Sequence, residues 1–405
     1  MEWGIKVRKE YADDIAHSED SLLRLFFVPK NTSLQPLSEI EIPQGTASPE
    51  RAARWVLCTP EMLAKINGQG FSATAYYFAR DMRAANGRPL GVIQSAWGGT
   101  RAEAWTSLSG LKQEPALAHY VAAYEKNVKD NPEILATYPQ KQKEFDTAVR
   151  EWDQTIGKEW NQAQKEWAVA VRTAQADGKP APAKPEPRVP RPPNPRKPDG
   201  GNNGPANLFN AMISPLIPLS IKGVIWYQGE NNAARANEYI DLFPALITDW
   251  RSRWNNEFPF YWVQLANFMS PAKQPSESHW ANLRDTQSKT LALPHTGQAV
   301  IIDIGEENDI HPRNKQDVGK RLALHALHND YGYNSIVCTG PIFQSVKRIG
   351  DALEVTFNAC DEQLVARNKY GYLSGFAIAG ADGKYQWAQA KIENNKVIVW
   401  NKEIQ

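Results

Sequence analysis

The residues most able to do chemistry lie in four short polar segments: "WGGTRAEAW" (97–105), "QGENNAAR" (228–235), "ANF" (266–268) and "EENDIHPRNK" (306–315). His311 is the candidate general base, because an imidazole titrates near neutrality and can relay a nucleophile's proton. Asp309 stands two residues earlier, on the same side of an extended segment, where its carboxylate can orient the ring. The other reading of the pair is a surface histidine beside a turn aspartate. Gly98 and Gly99 can bring main-chain N–H groups close to a developing oxyanion, or simply make a tight turn. The side-chain amides of Gln228 and Asn232 are further oxyanion donors, and Glu230 can accept from a sugar hydroxyl; all three also read as caps of the helix that follows. Trp97, Arg101 and Asn267 complete the candidate pocket. Ser95 follows a strand, but Ile93 and Gln94 stand where a nucleophile elbow needs glycine, so it reads more naturally as a structural serine. His325 and His328, three apart on a helix with Asp330 nearby, resemble half a metal site; without a third ligand they read as helix-surface residues.

These segments have to be held together by the elements around them. Apolar runs over 21–28, 90–95, 223–228, 258–267 and 297–305 predict strands, and 3.6-residue periodicity predicts helices over 72–87, 236–254, 278–293 and 315–327. Nearly continuous apolar strands separated by helices imply a parallel sheet buried on both faces, in which ligands bind beyond the carboxyl ends of the strands. Each of the four polar segments directly follows one of the last four predicted strands. They therefore converge on one end of the sheet.

The alternation breaks over 111–204. An apolar stripe from Phe145 through Trp152, Trp160 and Trp167 to Ala174, preceded by Leu117, Tyr120, Tyr124 and Val128, predicts a projecting helical hairpin. The Pro-rich stretch 178–204 reads as an extended tether back to the sheet. Beyond Thr339 the short runs "DALEVTF", "GFAIAG" and "KVIVW" predict a small all-β unit. The domain reading is an α/β domain over 1–338, the insertion at 111–204 within it, and a partial β-rich domain over 339–405.

The 405 residues carry 46 basic and 45 acidic side chains, a balance that offers no global field for nucleic acid or an anionic membrane. A small or neutral molecule is the expected partner. Fourteen Trp suit either a carbohydrate cleft or core packing. Cys58, Cys338 and Cys360 are odd in number and show no C-x-x-C spacing, so no disulfide framework, zinc site or other cofactor is read from them. No run of about 18 apolar residues offers a membrane span.

Taken together, "GVIQSAWGGTRAEAWTS" (91–107), "PANLFNAMISPL" (205–216), "GVIWYQGENNA" (223–233), "WANLRDTQ" (280–287) and "NDIHPRNKQDVGKRLA" (308–323) resemble the sialate O-acetylesterase group of carbohydrate acetylesterases, in the SGNH hydrolase superfamily. The resemblance implies a flavodoxin-like three-layer α/β domain and a metal-free serine esterase acting on an O-acetylated sugar, sialic acid or an acetylated polysaccharide. It matches His311 to the general base, Gly98 or Gly99 to the oxyanion-hole glycine, and Gln228 to Asn232 to the segment with the amide donor. The superfamily's acid lies three residues before the histidine, where this chain has Asn308, so the orienting group is Asp309 or a main-chain carbonyl. The family's nucleophile lies in G-Q-S-N-M-E at the end of the first strand, and "MEWGIK" resembles the last two residues of that segment and the chain just after it. The serine is thus expected just upstream of Met1, the β-rich C-terminal part is expected to continue past Gln405, and the chain alone is expected to be inactive. The alternative is a non-catalytic glycan-binding homologue. The family resemblance also implies export to the periplasm or cell exterior.

Overall fold

In the computed structural model, which describes residues 2–176, 180, 182–358, 363–368 and 370–404, the chain forms an α/β domain, a long projecting arm and a small β unit. Strand β1 (Asp20–Phe27) pairs antiparallel with β2 (Trp55–Cys58) and parallel with β3 (Leu90–Gln94), which follows helix α1 (Ala73–Asn86). A second sheet is wholly parallel and holds β4 (Val224–Trp226), β5 (Phe260–Val263) and β6 (Thr296–Ala299) in that order. Helix α4 (Ala236–Trp254) links β4 to β5, α5 (His279–Lys289) links β5 to β6, and α6 (Lys315–Tyr331) follows β6.

The alternation along β5 shows why helices cover both faces. Trp262 meets Phe243 of α4 edge-on at 5.2 Å, while its neighbour Tyr261 stacks on His325 of α6 at 5.5 Å. His325 is therefore buried, not a helix-surface residue, and it shares a hydrogen bond of 3.0 Å with the Gln298 carbonyl. His328 meets the Ile336 carbonyl at 2.8 Å and Asp330 accepts from the Tyr261 hydroxyl at 2.8 Å, so each of these groups already has a local partner. Among the described residues no cluster of three metal-binding side chains occurs.

The two three-stranded sheets are not hydrogen-bonded to each other, so β3 and β4 face one another across a cleft as unpaired edges. Consecutive residues at the ends of both strands and just after them line it, Val92–Ala96 and Ile225–Tyr227, with Ser72, Thr74 and Ala75 of the α1 end and Leu322 of α6. Consecutive lining residues mean that a strand edge, rather than one face, borders the space, a narrow cleft of about 70 Å³. Beneath it the halves are joined by α1 and α6, which cross closely at Gly319: a Cβ there would lie 2.6 Å from Tyr77 Cβ and the Phe78 nitrogen.

The arm differs from the predicted hairpin of two helices. Helix α2 (Ala118–Gln154) runs unbroken through the polar stretch and both internal prolines, and α3 (Ile156–Ala176) follows after Thr155. The return leg is the Pro-rich segment. Trp167, Trp160 and Trp152 donate their indole N–H groups to the carbonyls of Pro182, Pro185 and Val189 in turn. The spacings agree: the 15 positions from Trp152 to Trp167, helical except at Thr155, rise about 22 Å, and seven residues of polyproline-like chain span about 22 Å. Further along, the Arg191 guanidinium lies over the Phe145 ring and Asn131 donates to the Pro198 carbonyl. Residues 177–179 and 181, at the start of the predicted tether, lie outside the described residues, as does Cys360.

The C-terminal unit is an antiparallel sheet in the order β7 (Ile342–Ile349), β8 (Ala352–Asn358), β11 (Lys396–Trp400), β10 (Gln389–Glu393), β9 (Tyr372–Leu373). Its small core is Val355, Ala390, Val397 and Val399, and β7 is exposed at every position. No helix among the described residues is long and apolar enough to cross a membrane.

Replacing Trp152 by Phe removes one indole hydrogen bond and costs about 1 kcal/mol. Tryptic cleavage after Arg188, beside its partner Val189, is expected to speed up about fivefold if cleavage follows local opening. An unchanged rate would detach the Pro-rich leg from the helix.

Candidate active site

The site forms where the start of the chain crosses the carboxyl ends of the strands. Gly4 bridges Ser72, Ile5 donates to the Phe71 carbonyl at 2.8 Å, and Ala73 donates to the Trp3 carbonyl at 2.9 Å. Gly4 has to be glycine here, since a Cβ would sit 2.1 Å from the Gln69 oxygen. This clamp fixes Trp3. Its ring stacks on His311 at 5.0 Å with 13° between the planes, and the Arg8 guanidinium lies 4.8 Å from its centre.

The His311 loop is held from both sides. Within it, Glu306 accepts from the main chain and side chain of Arg313, both at 2.9 Å, and Pro312 is buried. From outside, the Tyr11 hydroxyl donates to the Arg313 carbonyl and accepts from the Lys315 N–H. Asp309 lies beside His311, as its position in the sequence suggested, but its nearest contacts are elsewhere. Oδ2 pairs with Arg8 at 3.0 Å and Oδ1 accepts the His311 main-chain N–H at 2.9 Å, while Nδ1 of the ring is 3.8 Å away. In this arrangement the stacked indole, rather than a direct carboxylate hydrogen bond, sets the ring plane. Asn308 is exposed on the same loop.

Gly98 and Gly99 follow β3 on an exposed turn, Gly99 with φ +71°. The Gly98 N–H donates to the Glu2 carboxylate, whose other oxygen meets Lys30; the Lys30 ammonium in turn lies 5.5 Å from the centre of the half-buried Trp97 ring. The donor thus already holds an anionic oxygen.

Gln228 and Asn232 hold the glycine turn from below. Gln228 donates to the Thr100 carbonyl at 3.1 Å and to Asn232 Oδ1 at 2.6 Å, and accepts from the Tyr239 hydroxyl. Asn232 accepts the Ala102 N–H and donates to Glu103 at 2.9 Å, and Asn231 donates to the Gly99 carbonyl. Both amide hydrogens of Gln228 are committed to these bonds. Glu103, buried, pairs with Arg235 at 2.8 Å. Arg101 donates its N–H to Asn203, while its buried Nε has no partner among the described residues. Glu230 opens the turn of 3-10 helix between β4 and α4, and Asn267 accepts the Gly305 N–H at 2.8 Å, tying the ends of β5 and β6 together. Ser95 donates its hydroxyl to the Met212 carbonyl at 2.9 Å, the structural role.

The structure adds residues to which the sequence reading gave no role. Glu2, Trp3, Arg8, Lys30 and Lys315 surround His311 and the glycine turn, and Gln287 of α5 binds the Leu265 N–H and the Gln228 carbonyl. Lys315 carried a usable signal: with Val318 and Leu322 it falls on an apolar face of its helix, an unusual place for lysine. Burial holds its ammonium down to a pKa of about 8, against the raising effect of Glu230 and Asp309.

Two outcomes test this geometry. Arg235→Met leaves the buried Glu103 unpaired and is expected to cost roughly 3 kcal/mol in urea unfolding. Because Lys315 titrates lower folded than unfolded, the unfolded chain binds the extra proton between about pH 8 and 10, so stability rises with pH across that window. Comparison with Lys315→Met, which lacks the titration, isolates the slope; equal slopes would remove the buried charge.

Residues 203–328 match the family model described as carbohydrate esterase, sialic acid-specific acetylesterase. The chain is 26% identical over 361 residues to the sialate O-acetylesterase of Mus musculus, covering 84% of this chain and 55% of that protein. It is 35% identical over 159 residues to the Homo sapiens sialate O-acetylesterase, 35% of this chain and 30% of that one. The crystal structure of a carbohydrate acetylesterase from Xanthomonas citri superposes with a TM-score of 0.71 at 33% identity, over 100% of this chain and 70% of that chain. The chain spans a little over half the length of the rodent relatives it matches.

Proposed function

The chain belongs to the sialate O-acetylesterase family of carbohydrate esterases, and we propose that it supplies the base and oxyanion turn of a serine esterase that removes O-acetyl groups from a sugar, a sialic acid or an acetylated polysaccharide. The observation that carries this reading is the junction at Glu2 and Trp3. Consecutive residues touch the Gly98 N–H and the His311 ring, so a serine a few positions before them would stand between donor and base. The cleft between β3 and β4 opens at the same end and is bordered by strand edges, as a strand presenting that serine requires.

In the proposed reaction the serine Oγ attacks the acetyl carbonyl while His311 takes its proton. The tetrahedral oxyanion is held by main-chain N–H groups of Gly98 and Gly99, with Gln228 and Asn232 keeping that turn in place. His311 returns the proton to the departing sugar oxygen, and the same imidazole then activates water to release acetate. Export to the periplasm or cell exterior belongs to the same proposal and rests on the family resemblance.

The test is hydrolysis of p-nitrophenyl acetate and an O-acetylated sialic acid by the 405-residue chain and by a form extended upstream through its reading frame. The extended form is expected to be at least about 10³-fold faster, and His311→Ala to remove that gain. Equal rates for the two forms, or an extended form without a serine, would overturn the assignment and favour a glycan-binding homologue.

A further inference from the structure

The C-terminal β unit carries an open groove of about 620 Å³ against the loop that follows β5. An irregularity in the sheet shapes it. Leu373 of β9 pairs with Ala390 of β10, and further along the same two chains pair again, Ala377 with Trp387. Three residues, 374–376, therefore face only two, 388 and 389, which is a β-bulge, and Gly375 takes φ +88° within it. The bulge and the residues opposite it form one wall of the groove, and Pro271 and Ala272 border it from the loop side.

Aromatic rings dominate that wall. Tyr372, Phe376 and Trp387 line it, and Tyr372 is still 55% and Trp387 43% exposed. Its polar members, Ser374 and Gln389, make no side-chain hydrogen bond among the described residues. No described residue that lines the groove is charged. Exposed rings beside an uncommitted hydroxyl and amide suit a neutral sugar chain, whose C–H faces pack on aromatic faces while its hydroxyls take the polar groups. An acidic sugar such as sialic acid would find no cation there for its carboxylate.

The loop between β5 and α5 ties this groove to the candidate active site. Met269 donates its N–H to the Glu307 carbonyl at 3.0 Å and Ser270 its hydroxyl to the Glu307 carboxylate, on the loop that carries His311. Just beyond, Pro271 and Ala272 enter the groove and the Lys273 carbonyl accepts the Trp387 indole N–H at 3.1 Å. Arg367 of the β unit pairs with Asp303, after β6, at 2.9 Å, a second tie to the same end of the sheet. Chain geometry alone keeps Pro271 within about 30 Å of His311. An oligosaccharide of several units covers that distance.

We infer that this groove is a subsite for a neutral glycan chain, holding unacetylated units of a polymer whose O-acetylated unit lies at His311. Tyr372 and Trp387 are its stacking platform. The inference deepens the acetylesterase reading and rests on it for the place of the acetylated unit. Of the two substrates named there it selects the polysaccharide over sialic acid.

The experiment titrates the 405-residue chain with xylohexaose, cellohexaose, mannohexaose and N-acetylneuraminic acid in a calorimeter. At least one neutral hexasaccharide is expected to bind more tightly than N-acetylneuraminic acid. Trp387→Ala and Tyr372→Ala are each expected to raise its Kd at least about 10-fold. Trp387→Phe keeps a ring but loses the donor to Lys273, and is expected to stay within about threefold of the parent chain. A loss in Trp387→Phe equal to that in Trp387→Ala would make Trp387 a loop anchor and overturn the stacking role. Should Trp387→Ala fail to fold, Tyr372→Ala decides. Binding of none of the three hexasaccharides, or binding untouched by the alanine substitutions, would overturn the inference. A dimer that Trp387→Ala dissolves would also overturn it and give the groove to a second copy of the chain. Binding without esterase activity in any form of the protein would count against the acetylesterase reading and leave the subsite standing; an active esterase whose groove takes no glycan would do the reverse.

Discussion

The stack of Trp3 on His311 is the contact on which the rest of the site depends. An imidazole on a strand-end loop has free rotation about two side-chain bonds, and a general base is useful only in a narrow range of orientations. Asp309 does not restrict the ring strongly in this structure, since its oxygens serve Arg8 and the loop's own main chain. The indole does so by covering one face of the ring. Trp3 is in turn held by a main-chain clamp to the start of α1, so the geometry of the imidazole is inherited from α1 and the sheet beneath it. Arg8 then connects the indole face and the Asp309 carboxylate, joining the beginning of the chain to a loop three hundred residues later.

That arrangement requires the two sheets to keep their separation, although β3 and β4 share no hydrogen bond. The crossing of α1 and α6 at Gly319 supplies the connection on one face. On the other side of the site, the hydrogen-bonded set of Glu103, Arg235, Asn232 and Gln228 spans from the turn after β3 to the turn after β4. A buried carboxylate is tolerated there because every partner is present, and in such a set the loss of one member exposes the others to the desolvation cost. The polar set therefore fixes the spacing of the two strand ends.

Much of this was legible in the sequence, and the failures have physical causes. Strands and helices of the α/β domain show in the apolar periodicity because each is buried on one or both faces, and the convergence of four polar loops follows from parallel topology. The long predicted strands over 258–267 and 297–305 shrink to Phe260–Val263 and Thr296–Ala299, since an apolar run does not mark where the ladder stops: Leu265 and Ile301 are buried in loop, and Val300 and Ile302 are exposed on it. The arm was misread because its middle is polar on all sides and carries Pro132 and Pro139, which imitate a break between two helices. Gln228 and Asn232 lie beside the glycine turn, but a sequence cannot tell an amide aimed at substrate from one that braces the main chain.

The fourteen tryptophans show the same ambiguity resolved by geometry. Trp105, Trp226, Trp250 and Trp262 pack edge to face in the core between α4 and the second sheet. Trp152, Trp160 and Trp167 line the arm, and Trp254 and Trp280 donate to the carbonyls of Leu219 and Ala266. In these positions the indole combines a large apolar surface with one donor that satisfies a carbonyl in irregular chain, where no ladder or helix would otherwise reach it. Trp3 and Trp97 differ in kind, because cations rather than carbonyls approach their faces: Arg8 and Lys315 at the first, Lys30 at the second. Two of these cations also pair with carboxylates, Arg8 with Asp309 and Lys30 with Glu2, so each indole where His311 and Gly98 meet the start of the chain belongs to a locally balanced ion pair.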